Sequence, residues 1–219
     1  MTGYPRAALR EALNEALRDA ATDPAWLAGA LREVAGNPAA VAGLFPAAGR
    51  RCGRGPLAGE DTDFAGWTVD DAARVLLLTA LPLSGPPLIE QVRALYRHGD
   101  PAEKRAVLRA LPYLDIADAG VAQLHDAIRT NDPRLVAAAM GRYARHLDDE
   151  TWRQAVLKCV FMEIPLKVVA GLAARADKEL ARMLAGLAQE RHAAGRALPA
   201  DAAALLAGLT AGDQERKAR

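Results

Sequence analysis

The chain has 219 residues, of which 51% are hydrophobic and 25% charged, with a formal net charge of +1. That is an ordinary globular balance in a chain long enough to bury a core without staples, and it excludes a polycation built for nucleic acid or an anionic membrane surface. No apolar run approaches the ~18 residues of a membrane helix. The two cysteines, Cys52 and Cys159, point to free thiols rather than a disulfide framework. The N-terminus lacks the basic-then-apolar pattern of a secretory signal, so the expected compartment is the cytoplasm.

Ala and Leu dominate, aromatics are 5%, and β-branched residues never alternate over a long run, so an all-α fold is expected. Leu9, Leu13, Ala16 and Leu17 stripe a first helix over 6–20. Asp23-Pro24 opens a second that stops near Gly36, with Asp as N-cap and Pro at the first helical position. Asn37-Pro38 starts a short third, expected to end by Leu44-Phe45-Pro46. Five glycines and two prolines then predict a long Gly/Arg-rich loop over 46–67. Thr68-Val-Asp-Asp71 reads as a capping box ahead of a strongly apolar helix that ends at Leu81–Pro87.

From Leu88 a unit repeats. Asp100-Pro101 and Asp132-Pro133 stand 32 residues apart, and Val92, Leu95, Tyr96, Val107, Leu108 and Leu111 find apolar counterparts at Leu124, Ala127, Ile128, Ala139, Met140 and Tyr143. Two helix pairs follow from this, 88–97 with 101–111 and 120–129 with 133–145. A further helix is expected over 149–161, a Pro165 break, a helix over 178–194 capped by Asp177 and closed by Gly195, and a last one over 199–209. A period of this length predicts a HEAT-like α-solenoid of about eleven helices. It would be a single domain over 1–210: an N-terminal cap (1–45), the loop (46–67), stacked pairs (68–210), and then a frayed tail (211–219). A compact, non-repeating bundle is the alternative.

Candidate chemistry is sparse. Arg50, Arg51 and Arg54, set among glycines, could cradle a phosphate or carboxylate, or could simply be a solvated basic loop. The spacing is neither a Walker motif nor a dinucleotide fingerprint. Lys158 in the apolar stretch 155–161 could be a buried base or Schiff-base amine, but it shares a face with Gln154 and also reads as an exposed or snorkelling lysine. His98, His125, His146 and His192 lie at no ligand spacing, so no metal site and no cofactor are expected. Asp148-Asp149-Glu150 reads as a helix-start charge cluster.

The stretches Arg129-Thr-Asn-Asp-Pro133, Trp152–Phe161, Pro165-Leu166, Glu179–Leu184 and Glu190-Arg191 with Ala194-Gly-Arg196 together resemble the EboA family. Leu44-Phe45-Pro46, Gly49-Arg50, Gly53-Arg54 and Trp67–Asp71 are similar to its actinobacterial members. The resemblance implies a metabolite traffic protein, encoded beside a prenyltransferase-like membrane protein, a sugar-isomerase-like barrel and a hydrolase-like metal protein. It brings no catalytic residue. The match at Arg50, Arg54, Asn131, Trp152 and Lys158 marks positions, not roles; Arg129, Asn131, Trp152 and Lys158 are candidates for a ligand or partner surface. Asn131 also has a local reading as part of a helix start, and Trp152 one as core.

The expected function is therefore non-enzymatic metabolite trafficking, by binding a small metabolite or proteins of a neighbouring pathway on a concave face, with no nucleic acid and no membrane insertion. The rival is an enzyme acting on an isoprenoid or sugar phosphate, with the three arginines as clamp and a carboxylate such as Asp149 as base. A structural scaffold or homodimer is a third possibility.

Overall fold

The computed structural model describes residues 5–57 and 64–217, with side chains described as far as Ala211. Among these residues every regular element is helical, and one isolated antiparallel bridge, Pro56 with Thr68, is the sole extended pairing. The chain divides into two compact units, residues 1–123 and 124–219.

Unit 1 carries α1 (Arg6–Leu17), α2 (Pro24–Gly36), α3 (Val41–Arg51), α4 (Val69–Ala80), α5 (Gly85–His98) and α6 (Pro101–Ala110). The organising element is α4. Its residues from Val69 to Thr79 are all buried, charged ones included, and it packs against α1, α2, α3 and α6. A helix buried all round belongs inside a core; in a row of stacked hairpins each unit touches only its neighbours. The chain enters α4 through the expected box: the Asp71 carboxylate accepts from Thr68 N (3.1 Å), and the Thr68 hydroxyl lies 2.8 Å from Asp71 Oδ2.

The expected third helix and the loop after it are partitioned differently. α3 continues through Pro46 to Arg51, so 46–51 are helical. Proline removes one i→i−4 bond and crowds the carbonyl four residues back. Here burial of Val41, Phe45 and Ala48 on one face offsets that cost. The remaining segment is pinned at its base: Thr22 N donates to Cys52 O (2.9 Å), Leu57 N to Trp67 O (2.9 Å) and Val69 N to Gly55 O (2.9 Å). Gly53 sits at φ +98°, a conformation that disfavours any side chain.

At positions 32 residues apart, several local features agree. Asp100 caps α6 by accepting from Glu103 N (2.8 Å), and Asp132 caps α8 (Pro133–Ala139) by accepting from Arg134 N (2.9 Å). Val92 and Leu124, Leu95 and Ala127, Val107 and Ala139, Leu108 and Met140, and Leu111 and Tyr143 are all buried. α7 (Val121–Arg129) precedes α8. The expected helix over 133–145 breaks at Gly141 (ψ −166°) and resumes as a 3-10 turn, Arg142–His146; α6 likewise passes into one, Leu111–Tyr113, at Pro112.

Unit 2 continues with α9 (Asp149–Phe161), α10 (Leu172–Arg175), α11 (Lys178–Ala193) and α12 (Ala200–Lys217). Asp148 caps α9 and Asp177 caps α11; Gly195 takes φ +70° just past α11, as the C-terminal position requires. α12 runs eight residues beyond its expected end at Leu209, through the span read as a frayed tail. Glu, Gln, Arg and Lys are strong helix formers, enough to carry the backbone past Gly212. No helix of the described residues is long and apolar enough to cross a membrane.

Cys52 and Cys159 are free and fully buried. Burial, helped by Asp23, pushes the Cys52 thiol from its ordinary 9.0 up to about 11, and burial pushes Cys159 up to about 12. Their contribution to stability is therefore complete below pH 9.0, where the unfolded thiols are also protonated, and is lost as pH rises through the folded values. Iodoacetamide is expected to leave both unlabelled in the native protein at neutral pH and to label both in urea. Equal labelling rates in the two states would show that neither site is closed.

Candidate functional site

Two places in the molecule gather groups that could act on something else. The first lies in unit 1, on the face of α4 that meets α6. Asp71, 0% exposed, receives Arg105 Nε at 2.9 and 3.0 Å and also the Arg109 guanidinium. Arg105 Nη2 reaches the Thr68 hydroxyl (3.0 Å), and Arg109 donates to Gly66 O (2.7 Å) and stacks 5.0 Å from the Trp67 ring. Burial pushes the Arg109 guanidinium down to about 10, against the upward pull of Asp71, so it stays charged at neutral pH. Arg74, also 0% exposed, is held by Asp70 Oδ2 (2.5 Å, one helical turn back), by Phe45 O (3.1 Å) and over the Phe45 ring. Charges of this kind are tolerated in a core where they are paired and hydrogen-bonded.

The second is a groove of about 590 Å³ in unit 2, lined by Leu166, Val169, Leu172 and Leu205, with Lys167 and Asp201 as its charged residues. It forms because α12 is anchored at its start: Asp201 Oδ2 accepts from Leu166 N (2.7 Å) across 35 positions, and Gly171 turns the chain at φ +73° into α10. Leu206, the next residue on α12, lines a second apolar groove of about 520 Å³ with Ala188 and Leu198. Volumes of this order suit small molecules.

The residues singled out in the sequence fall in different settings. Arg50, Arg51 and Arg54 are all exposed, yet they diverge. Arg51 pairs with Asp23 (2.9 Å) and lies 5.8 Å from the Trp26 ring, whereas Arg54 turns back toward Gly49 and Arg74. Trp152 is 1% exposed, under the Arg175 guanidinium (4.7 Å), and its Nε1 has no hydrogen-bond partner. Arg129 and Asn131 are exposed, Arg129 facing Asp126 at 4.0 Å, and Lys158 is half-buried. Asp149 accepts from Arg175 (2.6 Å), which also donates to Ala144 O and Leu147 O. Among the described residues no group of three or more His, Cys, Asp or Glu could hold a metal ion.

Sequence reasoning missed Arg74, Arg105, Arg109 and the groove. The four-residue spacing of Asp70 and Arg74 was a usable signal, since such residues face each other on a helix. Nothing local announces partners 34 and 38 positions apart.

The described residues thus combine an all-helical fold, a charge-stitched inner helix and shallow apolar grooves. The chain belongs to the EboA family: the family model, described as metabolite traffic protein EboA, matches residues 60–206. α4, α6 and the larger groove fall within that span, whereas Arg50, Arg51 and Arg54 precede it. The family's name gives it a role in metabolite traffic. No curated protein and no solved structure matches the chain.

Proposed function

We propose that this chain serves metabolite traffic by holding a small, largely apolar metabolite without transforming it. The supporting observation is the groove lined by Leu166, Val169, Leu172 and Leu205. Asp201 already accepts from Leu166 N and Ala202 N, so its carboxylate is committed to structure. The exposed Lys167 supplies one cationic rim group, suited to a single polar end on an apolar body. The concave face expected of a HEAT-like array plays no part in this reading.

A neutral apolar dye, Nile red, tests it. Fluorescence enhancement on mixing with the protein is expected, together with a loss of at least about tenfold in affinity on Leu205→Arg, which sets a bulky, charged side chain in the apolar groove. Leu206→Arg, at the neighbouring groove, should retain binding. Unchanged dye affinity in Leu205→Arg would remove the proposal. The second reading, docking of a pathway protein, is favoured by Phe161 at the end of α9, 64% exposed where most large apolar side chains are buried. It predicts that Phe161→Ser abolishes capture of that partner and leaves dye binding intact.

A further inference from the structure

We propose that Arg54 and Arg74 form a binding site for one small oxyanion, the carboxylate or phosphate group of a metabolite, beside Gly49. A Cβ placed on Gly49 would stand 2.9 Å from Arg54 Nε, 3.4 Å from Arg54 Nη2 and 3.3 Å from Arg74 Nη2. Two guanidinium groups thus converge on one spot, and glycine leaves them the room.

Arg74 is only partly satisfied. Its Nε and Nη1 have Phe45 O and Asp70, but Nη2 meets Glu103 Oε1 at 3.9 Å, outside hydrogen-bond reach. That nitrogen can still donate to a further acceptor. Arg54 has no hydrogen bond or ion pair with any described residue. Among the described residues of the cluster, Asp70, Asp71 and Glu103 stand against Arg54, Arg74, Arg105 and Arg109, three acids to four bases.

An exposed arginine is best hydrated when it points away from other cations. Arg54 instead lies against one, a repulsive placement that a bridging anion turns attractive. Arg presents a planar fork matched to carboxylate and phosphate oxygens. The backbone on either side of Arg54 is already fixed, by Thr22 N on Cys52 O and Val69 N on Gly55 O, so little order remains to be imposed on binding. The site shares no residue with the groove of unit 2 and is read with different probes, so each proposal fails or stands by itself.

The test is isothermal titration of wild type, Arg54→Ala and Arg50→Ala with inorganic phosphate, pyrophosphate and succinate at matched ionic strength. Wild type and Arg50→Ala are expected to bind at least one of these alike, with Arg54→Ala at least about tenfold weaker, the loss that follows from removing a charge-assisted bond. The phosphate and succinate arms separate the two headgroup chemistries. No binding of any oxyanion to wild type, or equal binding by Arg54→Ala, overturns the assignment.

Discussion

Asp71→Ala will destabilise the N-terminal unit by about 3–5 kcal/mol, the range for removing one partner of a buried ion pair. In a chain of this size that corresponds to a fall of roughly 10 °C in Tm. The carboxylate is 0% exposed and is the shared acceptor for Arg105, Arg109 and Thr68 N. Without it two guanidinium groups face each other with their counter-charge gone. The solvent-exposed pair Glu15–Arg18 is the reference: Glu15→Gln should change stability by no more than about 0.5 kcal/mol. Replacing Asp71, Arg105 and Arg109 together by Leu, Met and Leu should restore most of the lost stability, because the penalty lies in the orphaned charges and not in a missing attraction. Urea unfolding followed by circular dichroism reads all three. If Asp71→Ala unfolds at the same urea concentration as Glu15→Gln, the network does not hold α4 in place.

The second large effect is expected in unit 2. Trp152→Ala should destabilise it by about 3–5 kcal/mol, as deletion of a buried aromatic generally does, since the ring is 1% exposed and lies under Arg175. Trp152→Phe should cost only about 1 kcal/mol. The indole Nε1 makes no hydrogen bond, so its loss removes volume and part of the cation–π attraction but no polar partner. A Phe variant as unstable as the Ala variant would mean that the nitrogen is engaged after all. This pair also decides between core and ligand surface for Trp152, because a ligand-facing tryptophan would tolerate Ala far better.

What could be read from residues alone was what neighbours in sequence determine. Asp23, Asp100, Asp132 and Asp177 each cap the helix they were expected to cap, because an N-cap is a transaction between residues two or three apart. Gly195 likewise needs only its own φ. Pro46 misled because its local veto on helix is weaker than the burial of Phe45 beside it. Phe161 sits in an apolar run, yet it falls on the outer side of α9, and periodicity over one turn cannot tell an end from a face. The arginines showed the limit most plainly. Composition drew attention to Arg50, Arg51 and Arg54 as a trio, but the fold sends Arg51 to Asp23 and turns Arg54 toward Arg74. The groove could not be foreseen, since it depends on Asp201 meeting Leu166 N.

The position of α4 also bears on how the protein is made. Of the helices against which it packs, α1, α2 and α3 leave the ribosome before it, and α6 follows only after α5 has been synthesised. For that interval a nascent chain carries a strongly apolar helix with one flank open, and the acid at Asp71 waits for two bases not yet translated. The interval is when a chaperone has something to hold, and when a stalled or truncated product would clump.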